Sequence, residues 1–494
     1  MSQQSLKDKT IKGTMWSTAD AFLGQGVTFL VGIVLARLLS PSEYGLLGIC
    51  MIFITVFNGI VDSGFSNALI RKKDATNDDY NTMFLTNMFF SIVLYWVLFF
   101  CAPYISIYFA CAELTALVRV SGLVMIVNAL SLTQVTILTK RIDFKTKTKA
   151  SLISAILSGI VGISLAYLGF GVWALVCQQL SKQILYTICL WSLNRWYPSL
   201  IFSRESFKYL WGFGSKLLVS GLLNNIWSQL YQVVVGKYYS PNTLGQYTRG
   251  REYAGILSSN ITSIVQRVTY PVLSEIQDDK ERMVAAYRRI IKTTMFVTCV
   301  TVISMGAVAE PLIYCMIGPQ WHEATTFLPY ICFIMSTYPL QAINLNMLQV
   351  QGRSDIFLYL EIIKKIIALG PLVIGIFFNI YYMLVASVVI NIISYFLNSY
   401  YTGKKLNYNS WMQLKDVSGD YGIAFCVAIS VFFLKYLPIS YWVILPLQII
   451  LGIIVFFIIC ELTKLDEYLE LKSIVMSAFK KYKNKHHENI TCSF

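Results

Sequence analysis

Apolar runs long enough to cross a membrane recur along the whole of this chain. A helix of about 20 apolar residues spans the hydrocarbon core of a bilayer, which is about 30 Å thick. Inside that core every backbone N–H and C=O group must be bonded within the protein, and a helix meets this requirement by itself. The alternation of apolar and polar residues that marks a membrane barrel is not found in these runs. We therefore predict an all-α integral membrane protein.

Composition supports this prediction and bears on the partners. Of the 494 residues, 56% are hydrophobic and 13% are charged, and the mean hydropathy is +0.59. A soluble chain carries roughly twice that charged fraction. The net charge of +14 comes from short basic clusters between the apolar runs, a distribution typical of the cytoplasmic face of a membrane. We therefore expect the lipid bilayer as a partner and no nucleic acid.

Fourteen transmembrane helices fit the sequence. The first, over about residues 14–39, is longer than the apolar core of a signal peptide. The eighth, over about residues 246–270, is the least apolar. The predicted centres lie near residues 26, 54, 92, 126, 160, 183, 224, 258, 300, 336, 367, 391, 428 and 450.

The basic residues in the connections predict the orientation of the spans. The connections on one side, both termini included, hold 31 Lys and Arg residues, whereas those on the other side hold four. Positively charged loops stay in the cytoplasm, so both termini are predicted to be cytoplasmic. The eighth span is required by this count, because without it all later basic clusters would lie on the outer side.

Two short segments match at an offset of 200 residues. The first span is followed by Arg37-Leu-Leu-Ser-Pro-Ser-Glu-Tyr-Gly45, and the seventh by Lys237-Tyr-Tyr-Ser-Pro-Asn-Thr-Leu-Gly245. The loops after spans four and ten are also alike, which indicates a repeat of six spans, with both halves entering from the same side. The predicted domains are a first six-helix lobe (1–200), a second six-helix lobe (201–408), two additional helices (409–462) and a basic cytoplasmic tail (463–494).

Polar residues inside membrane spans are costly and mark candidate functional sites. In span seven, Asn225, Gln229 and Gln232 share a face by their i, i+4, i+7 spacing. In span eight, Arg249 and Arg267 lie 18 residues, or five helical turns, apart and also share a face. The candidate substrate-binding residues of the two spans are Lys216, Asn224, Asn225, Gln229, Gln232, Arg249, Arg251, Glu252, Asn260 and Arg267.

The polar residues on the shared face of span eight form a stripe from Arg249 to Arg267. This stripe is about 27 Å long, close to the full hydrocarbon thickness, and is not expected to face lipid. Two interpretations are open: the polar groups line a wet cavity and bind substrate, or they bond only to neighbouring helices. For the amides, the two interpretations are equally favoured. For the four cations, binding is favoured, because few buried acids are available to pair with them.

The repeat concentrates the cations in one half of the chain. At the 200-residue offset the four cations of spans seven and eight correspond to Trp16, Ile49, Met51 and Asn67. We therefore expect membrane-embedded cations in the second half only. One cationic wall suits an anionic substrate, because the arginine fork matches phosphate oxygens. Amides and hydroxyls would serve sugar hydroxyls.

The first half offers two acidic candidates for ion coupling, Asp20 and Asp62. Each could titrate or bind a coupling ion. The alternative, which we favour, is that each lies at the cytoplasmic interface without such a role. The eleven cysteines form no CxxC motif and there are only three histidines, so we predict neither a metal site nor a cofactor. No loop has room for a catalytic domain, and we do not expect an enzyme.

Three motifs resemble one family of transporters. They are Trp16-Ser17 at the first span, Leu35-Ala-Arg-Leu-Leu-Ser-Pro-Ser-Glu-Tyr-Gly45 after it, and Asp62-Ser-Gly-Phe-Ser-Asn-Ala-Leu-Ile70 at the end of the second. Over essentially its whole length the chain resembles the Wzx-type flippases of lipid-linked oligosaccharides, in the subgroup of WzxC and teichuronic-acid exporters. These belong to the MATE-like flippase superfamily.

The resemblance implies a V-shaped, MATE-like transporter in the bacterial inner membrane. It implies that an undecaprenyl-diphosphate-linked oligosaccharide is moved from the cytoplasmic to the outer leaflet by alternating access, for polysaccharide or lipopolysaccharide biosynthesis. It also implies coupling to an H⁺ or Na⁺ gradient and cooperation with a glycan polymerase and other export proteins. The alternatives are a MATE-type multidrug or metabolite cation antiporter and, less favoured, a membrane glycan polymerase.

The orientation gives a direct prediction. Epitope tags fused to either terminus should resist protease added to spheroplasts, because both termini are expected on the cytoplasmic side. Both tags should be digested once the membrane is permeabilised with detergent. Digestion of either tag in intact spheroplasts contradicts the predicted topology.

Overall fold

The computed structural model describes residues 23–62, 64–473 and 476–477. Regular structure in this part of the chain is helical, and no strand is found there. Asp20, Trp16 and Ser17 lie outside the described residues, as does the sequence from residue 478 onward.

The helices of the first half begin with a short apolar one and end with a long polar one. They are α1 (Gln25–Leu38), α2 (Pro41–Asp62), α3 (Phe65–Arg71), α4 (Asn77–Phe109), α5 (Leu114–Lys140), α6 (Phe144–Tyr167), α7 (Val172–Asn194) and α8 (Arg204–Tyr238). The helices that follow are α9 (Pro241–Glu275), α10 (Lys280–Ala307), α11 (Ala309–Met316), α12 (His322–Ser336), α13 (Tyr338–Val350), α14 (Ser354–Ile367), α15 (Leu369–Phe377), α16 (Ile380–Leu406), α17 (Ser410–Phe432) and α18 (Tyr441–Thr463).

The chain is an all-α, multi-pass membrane protein. Among the described residues, eight helices are long and apolar enough to cross a membrane: α2 with α3, α4, α5, α6, α10, α16, α17 and α18. The fourteen predicted centres all fall within helices. The number of membrane crossings itself stays a prediction, since α7, α8 and α9 fall short of the apolarity that marks the eight.

Two of the predicted spans are broken near their centres. The tenth is divided at Thr337 into α12 and α13, and the eleventh at Ala368 into α14 and α15. Pro339 has no N–H group, so the carbonyl of Met335 lacks its usual helical donor. The Ser258 hydroxyl of α9 donates to that carbonyl at 2.6 Å. In hydrocarbon such a side-chain bond is what makes a helix break tolerable.

The chain divides into two compact units. Unit one holds the described residues up to Thr248 together with Met316–Gln320. Unit two holds Arg249–Cys315 and the described residues from Trp321 onward. Helix α9 runs through the division. The two lobes expected from the repeat, which meet at residues 200 and 201, stay a prediction.

In unit one, α8 packs against α2, α3 and α4. The contact is aromatic near the start of α8: the ring of Phe65 meets those of Phe207 and Trp211 edge-on, with centroids 6.4 and 6.1 Å apart. Gly64 permits the close crossing, because a Cβ there would lie 2.8 Å from the Gly214 carbonyl oxygen. Its φ of +70° also favours glycine. Gly64 and Phe65 of the sequence motif thus form part of the surface on which α8 packs.

In unit two, α10, α13, α16 and α17 share one core. Three polar side chains at the centre of this core are hydrogen-bonded to one another. The Tyr287 hydroxyl donates to Asn344 at 2.8 Å, and the Asn344 and Gln413 amides bond to each other at 3.1 and 3.2 Å. Interhelical bonds of this kind hold membrane helices together where lipid removes the hydrophobic drive for association.

Ion pairs fix the chain beyond α18 to α10. Helical residues 466–473 contribute Glu467 and Glu470, which pair with Lys292 and Arg289. In the same region the hydroxyl of Tyr408 donates to Asp416 at 2.7 Å. Burial, and then the bond to this carboxylate, raise the pKa of Tyr408, so it stays protonated and donating.

The two copies of the repeated motif have the same local structure. Ser40 and Ser240 each cap the helix that follows, accepting a bond from the backbone N–H of Glu43 and Thr243 at 3.4 and 3.1 Å. The carboxylate of Glu43 also accepts from the backbone N–H of Ser40 at 2.6 Å, which completes a capping box. The sequence match therefore reflects a matching turn and helix start.

The basic residues of the motif act alike as well. The Arg37 guanidinium donates to the carbonyl of Met316, the last residue of α11, at 2.7 Å. The Lys237 ammonium donates to the carbonyl of Tyr108, near the end of α4. Each basic residue thus satisfies a carbonyl that the end of a helix leaves without an N–H partner.

The motif copies also pack directly on each other. A Cβ at Gly45 would lie 1.7 Å from the Pro241 carbonyl oxygen, and one at Gly245 would lie 1.9 Å from the Pro41 carbonyl oxygen. Each glycine therefore accommodates the backbone of the other copy. The starts of α2 and α9 cross at a separation that no larger residue permits.

This crossing gives a stability prediction. Replacing Gly45 or Gly245 with Ala should force the helix starts apart and lower stability by about 1–3 kcal/mol, as overpacking does. Gly48→Ala is the matched control, because the nearest atom to its Cβ, on Leu244, is 3.6 Å away. Thermal unfolding of the purified protein in detergent measures the effect. Equal midpoints for Gly45→Ala and Gly48→Ala contradict the proposed close contact.

Candidate substrate-binding site

Helix α8 exposes a line of polar side chains in unit one. Lys216, Ser220, Asn224 and Ser228 follow each other at i, i+4 spacing, and all four are exposed. Among the described residues, Lys216 forms no ion pair. The structure thus brings Lys216 and Asn224 onto one continuous surface.

The other three α8 candidates lie to one side of this line. Asn225, Gln229 and Gln232 are partly buried. The Asn225 amide sits on α2, where a Cβ at Gly59 would lie 2.4 Å from its nitrogen. The Gln229 amide donates to the hydroxyl of Ser228 at 3.4 Å. These amides therefore connect the exposed line to the packed side of α8.

Helix α9 has one packed face within unit two. Small residues form it: Gly250, Ala254, Ser258 and Thr262 are buried. A Cβ at Gly250 would touch the side chain of Ile331 at 3.4 Å, so α12 approaches closely. The bond from Ser258 to the Met335 carbonyl anchors this face to the break after α12.

The opposite face of α9 carries polar groups that unit two leaves exposed. Glu252, Ser259 and Arg267 are exposed, and Asn260 is partly buried. The Arg267 guanidinium donates to the hydroxyl and carbonyl of Ser263, one turn earlier, at 2.8 and 3.2 Å. The part of the predicted stripe that holds Glu252, Ser259 and Arg267 therefore lies on an exposed face of α9.

Arg249 differs from the other cations. It is 9% exposed, and its Nη1 lies 2.6 Å from a carboxylate oxygen of Glu252, three residues along the helix. Arg251 is partly buried. The scarcity of acids expected from the sequence therefore does not apply to Arg249, which has its own counter-charge. Among the four candidate cations, Lys216 and Arg267 are the exposed ones.

Of the two acidic candidates, the structure describes Asp62. Its carboxylate accepts a bond from the Ser66 hydroxyl, which in turn accepts from Thr136 at 3.1 Å. These bonds join the end of α2 to α3 and α5. Ion coupling at Asp62, and at Asp20 outside the described residues, stays a prediction.

The sequence reasoning passed over Lys182, near the middle of α7 in unit one. Its Nζ lies 3.0 Å from the Thr28 hydroxyl of α1, and the side chain is partly buried. The expectation that cations inside predicted spans belong only to the second half is therefore wrong. A signal was present: five of the six residues 178–183 are polar, within a predicted span.

Lys182 lies next to a network of amides that joins three helices. The Gln183 amide donates to Asn128 and Ser131 of α5 at 3.3 and 3.1 Å. The Asn128 amide donates to Asn58 of α2 at 3.1 Å. The first unit therefore has its own cluster of polar side chains, which α1, α2, α5 and α7 contribute.

A cavity of about 920 Å³ beside α10 and residues 466–473 has a different character. Four cations line it together with four acidic residues, and the pairs Arg289–Glu470 and Lys292–Glu467 lie in its wall. With its charges matched, this cavity offers an anion no advantage. Within the described residues no group of His, Cys, Asp and Glu could hold a metal ion.

Comparison with known proteins assigns the family. Residues 34–326, more than half of the chain, match the model of a family described as polysaccharide biosynthesis protein. The protein belongs to this family of membrane proteins.

Two relatives and one solved structure are similar over most of the chain. The succinoglycan biosynthesis transport protein ExoT of Rhizobium meliloti (strain 1021) is 24% identical, over 64% of this chain and 67% of its own length. The lipopolysaccharide biosynthesis protein WzxC of Escherichia coli (strain K12) is 21% identical, over 75% and 76%. The inward closed structure of the lipid II flippase MurJ superposes with a TM-score of 0.69 at 15% identity, over 92% and 98%, which shows a shared fold.

The two faces of α9 give an accessibility prediction. A cysteine at Ser259, on the exposed polar face, should react with a charged, membrane-impermeant thiol reagent, because a polar face of this length needs water. A cysteine at the adjacent Ser258, which is 0% exposed, should not react. Mass spectrometry of the labelled protein measures both, with the wild type as background for the native cysteines. Equal labelling of the two variants contradicts the wet-face interpretation.

Proposed function

We propose that this protein is a flippase, which carries a polyprenyl-diphosphate-linked oligosaccharide from the cytoplasmic to the outer leaflet by alternating access. The observation that carries the proposal is the exposed polar and cationic face of α9, with Arg267 at one end. A second polar line, with Lys216, runs along α8. Both helices lie in predicted spans, where polar side chains are retained only for a purpose.

The chemistry of these faces fits such a cargo. An arginine fork can bind two oxygens of a phosphate group at once. Amides and hydroxyls such as those of Asn224, Ser228 and Ser259 can replace water around sugar hydroxyls. Without such partners, each buried hydroxyl would cost roughly 2–7 kcal/mol. The two residue classes that a glycan diphosphate needs are therefore present on the same helices.

The relatives support this proposal. ExoT is named as a transport protein of succinoglycan biosynthesis and WzxC as a protein of lipopolysaccharide biosynthesis. The fold is shared with a flippase of lipid II. Transport of a related lipid-linked glycan, without covalent chemistry on it, accounts for the family and the fold together.

An antiporter of organic cations is less well supported. Such a protein needs acidic groups to receive its substrate, whereas the acid on the exposed α9 face, Glu252, is already paired with Arg249. A glycan polymerase would need catalytic residues, and the connections between the described helices are too short to hold a domain for them.

The proposal includes a setting for the transporter. It would lie in the bacterial inner membrane with both termini in the cytoplasm. An H⁺ or Na⁺ gradient would drive it, and it would pass its product to a glycan polymerase and other export proteins. The basic clusters between the helices support this orientation.

Charge reversal tests the function. Arg267→Glu should abolish surface glycan while the protein remains in the membrane, because an acid at this point repels the diphosphate. Arg282→Glu is the control, since Arg282 is exposed at the start of α10, outside the proposed path. Surface polysaccharide is measured by immunoblot in a deletion strain carrying each variant. Normal glycan with Arg267→Glu, or full glycan in the deletion strain itself, overturns the proposal.

A further inference from the structure

Lys182 is a cation that neither the repeat nor the exposed faces of α8 and α9 account for. It lies ten residues after Val172, the first residue of α7, and twelve before Asn194, the last. At 1.5 Å per residue its Cα is about 15 Å from the first residue of the helix and about 18 Å from the last. The lysine therefore lies close to the middle of a predicted span, too deep for its side chain to reach either membrane surface easily.

The hydrogen-bond partner of the Lys182 ammonium is a hydroxyl group and not an acid. Its Nζ lies 3.0 Å from the Thr28 oxygen. The Thr28 hydroxyl donates its own hydrogen to the Gly24 carbonyl at 2.9 Å, so its lone pairs are free to accept from the lysine. Among the described residues, no carboxylate pairs with Lys182. Within this part of the chain the positive charge is therefore solvated by one neutral group and is not paired with a carboxylate.

The residues next to Lys182 along α7 are mostly polar. Residues 178–183 read Gln-Gln-Leu-Ser-Lys-Gln, a turn and a half in which apolar residues are nearly absent. The next residue, Gln183, belongs to the amide network with Asn128 and Asn58. These bonds join α2, α5 and α7 beside the polar turn, and Lys182 itself lies within a helix.

A membrane-embedded ammonium without a counter-charge is expensive, and an intramembrane charge is retained where a ligand or an ion pathway needs it. We propose that Lys182 binds an oxyanion of the transported cargo, a phosphate or a sugar carboxylate, at mid-depth in unit one. The anion supplies a counter-charge that the described residues do not, and the neighbouring amides receive the attached hydroxyls. This inference rests on the proposed flippase function and adds a binding residue to it.

The geometry also explains why a lysine suits this place. A transported anion must be released again, and a lysine offers a point charge without the bidentate fork of arginine. The Thr28 hydroxyl holds the ammonium in position when no anion is present. A cargo passing α7 can displace this weak neutral partner at little cost.

Binding to the purified full-length protein in lipid nanodiscs tests the inference. The probes are farnesyl diphosphate, which carries the lipid diphosphate, sodium glucuronate, which carries a sugar carboxylate, and farnesol, which carries neither. The variants are Lys182→Met, Lys182→Arg and Thr28→Val. Lys208→Met is the matched control, because it removes one exposed cation from the same unit. Dissociation constants come from intrinsic tryptophan fluorescence, and thermal unfolding confirms that each variant is folded.

We expect Lys182→Met to weaken binding of one anionic probe roughly tenfold or more, and to leave farnesol unchanged. Lys182→Arg should keep most of the affinity, and Lys208→Met should match the wild type. Loss for farnesyl diphosphate assigns the lipid diphosphate as the ligand, and loss for glucuronate assigns a sugar acid. Wild-type affinity of Lys182→Met for both anions, or no anion binding by the wild type, overturns the inference.

Failure of this inference can be told apart from failure of the proposed function. If Lys182→Met binds both anions normally while Arg267→Glu abolishes surface glycan, the flippase proposal stands and Lys182 has no part in anion binding. If the deletion strain exports glycan normally, the function itself is wrong, whatever the binding data show.

Discussion

Hydrocarbon offers no hydrogen-bond partner, and this constraint governs each level of the structure. It limits the backbone to helices, whose N–H and C=O groups are paired internally. Where Pro339 removes one such pair, the Ser258 hydroxyl of α9 bonds the freed Met335 carbonyl. Where polar side chains enter the core of unit two, Tyr287, Asn344 and Gln413 bond to one another. Polar groups that remain outside these arrangements are therefore the ones to examine for function.

Among the described residues, three groups of polar side chains meet that criterion and carry a cation: the line on α8, the exposed face of α9 and the turn around Lys182. They differ in their electrostatics. Arg249 carries its own counter-charge in Glu252, whereas Lys182 is held by the Thr28 hydroxyl and Arg267 by Ser263. Cations held only by neutral groups are the ones that an anionic cargo can occupy. The cavity beside α10 shows the contrasting case, since its cations face acids in equal number and hold the chain after α18 in place.

Most of the helix positions were predictable, because long apolar runs leave a membrane chain little choice. The pairing of Arg37–Gly45 with Lys237–Gly245 was visible as a repeat as well. The candidate residues of α8 and α9 could be placed on helix faces by spacing alone. Lys182 was overlooked because the 200-residue comparison directed attention to the second half. The breaks at Thr337 and Ala368 were also missed, since hydropathy averages over a kink.

The sequence by itself determined an all-α membrane protein, its repeated motif and the polar faces of two helices. These follow from periodicity and hydropathy, which are properties of consecutive residues. Only the tertiary structure decided which partner each polar group meets. Gly45 lies against the Pro241 carbonyl, Arg249 is paired with Glu252, and Lys182 meets Thr28. The first and last of these contacts join residues far apart in the chain, and local spacing carries no information about such distances.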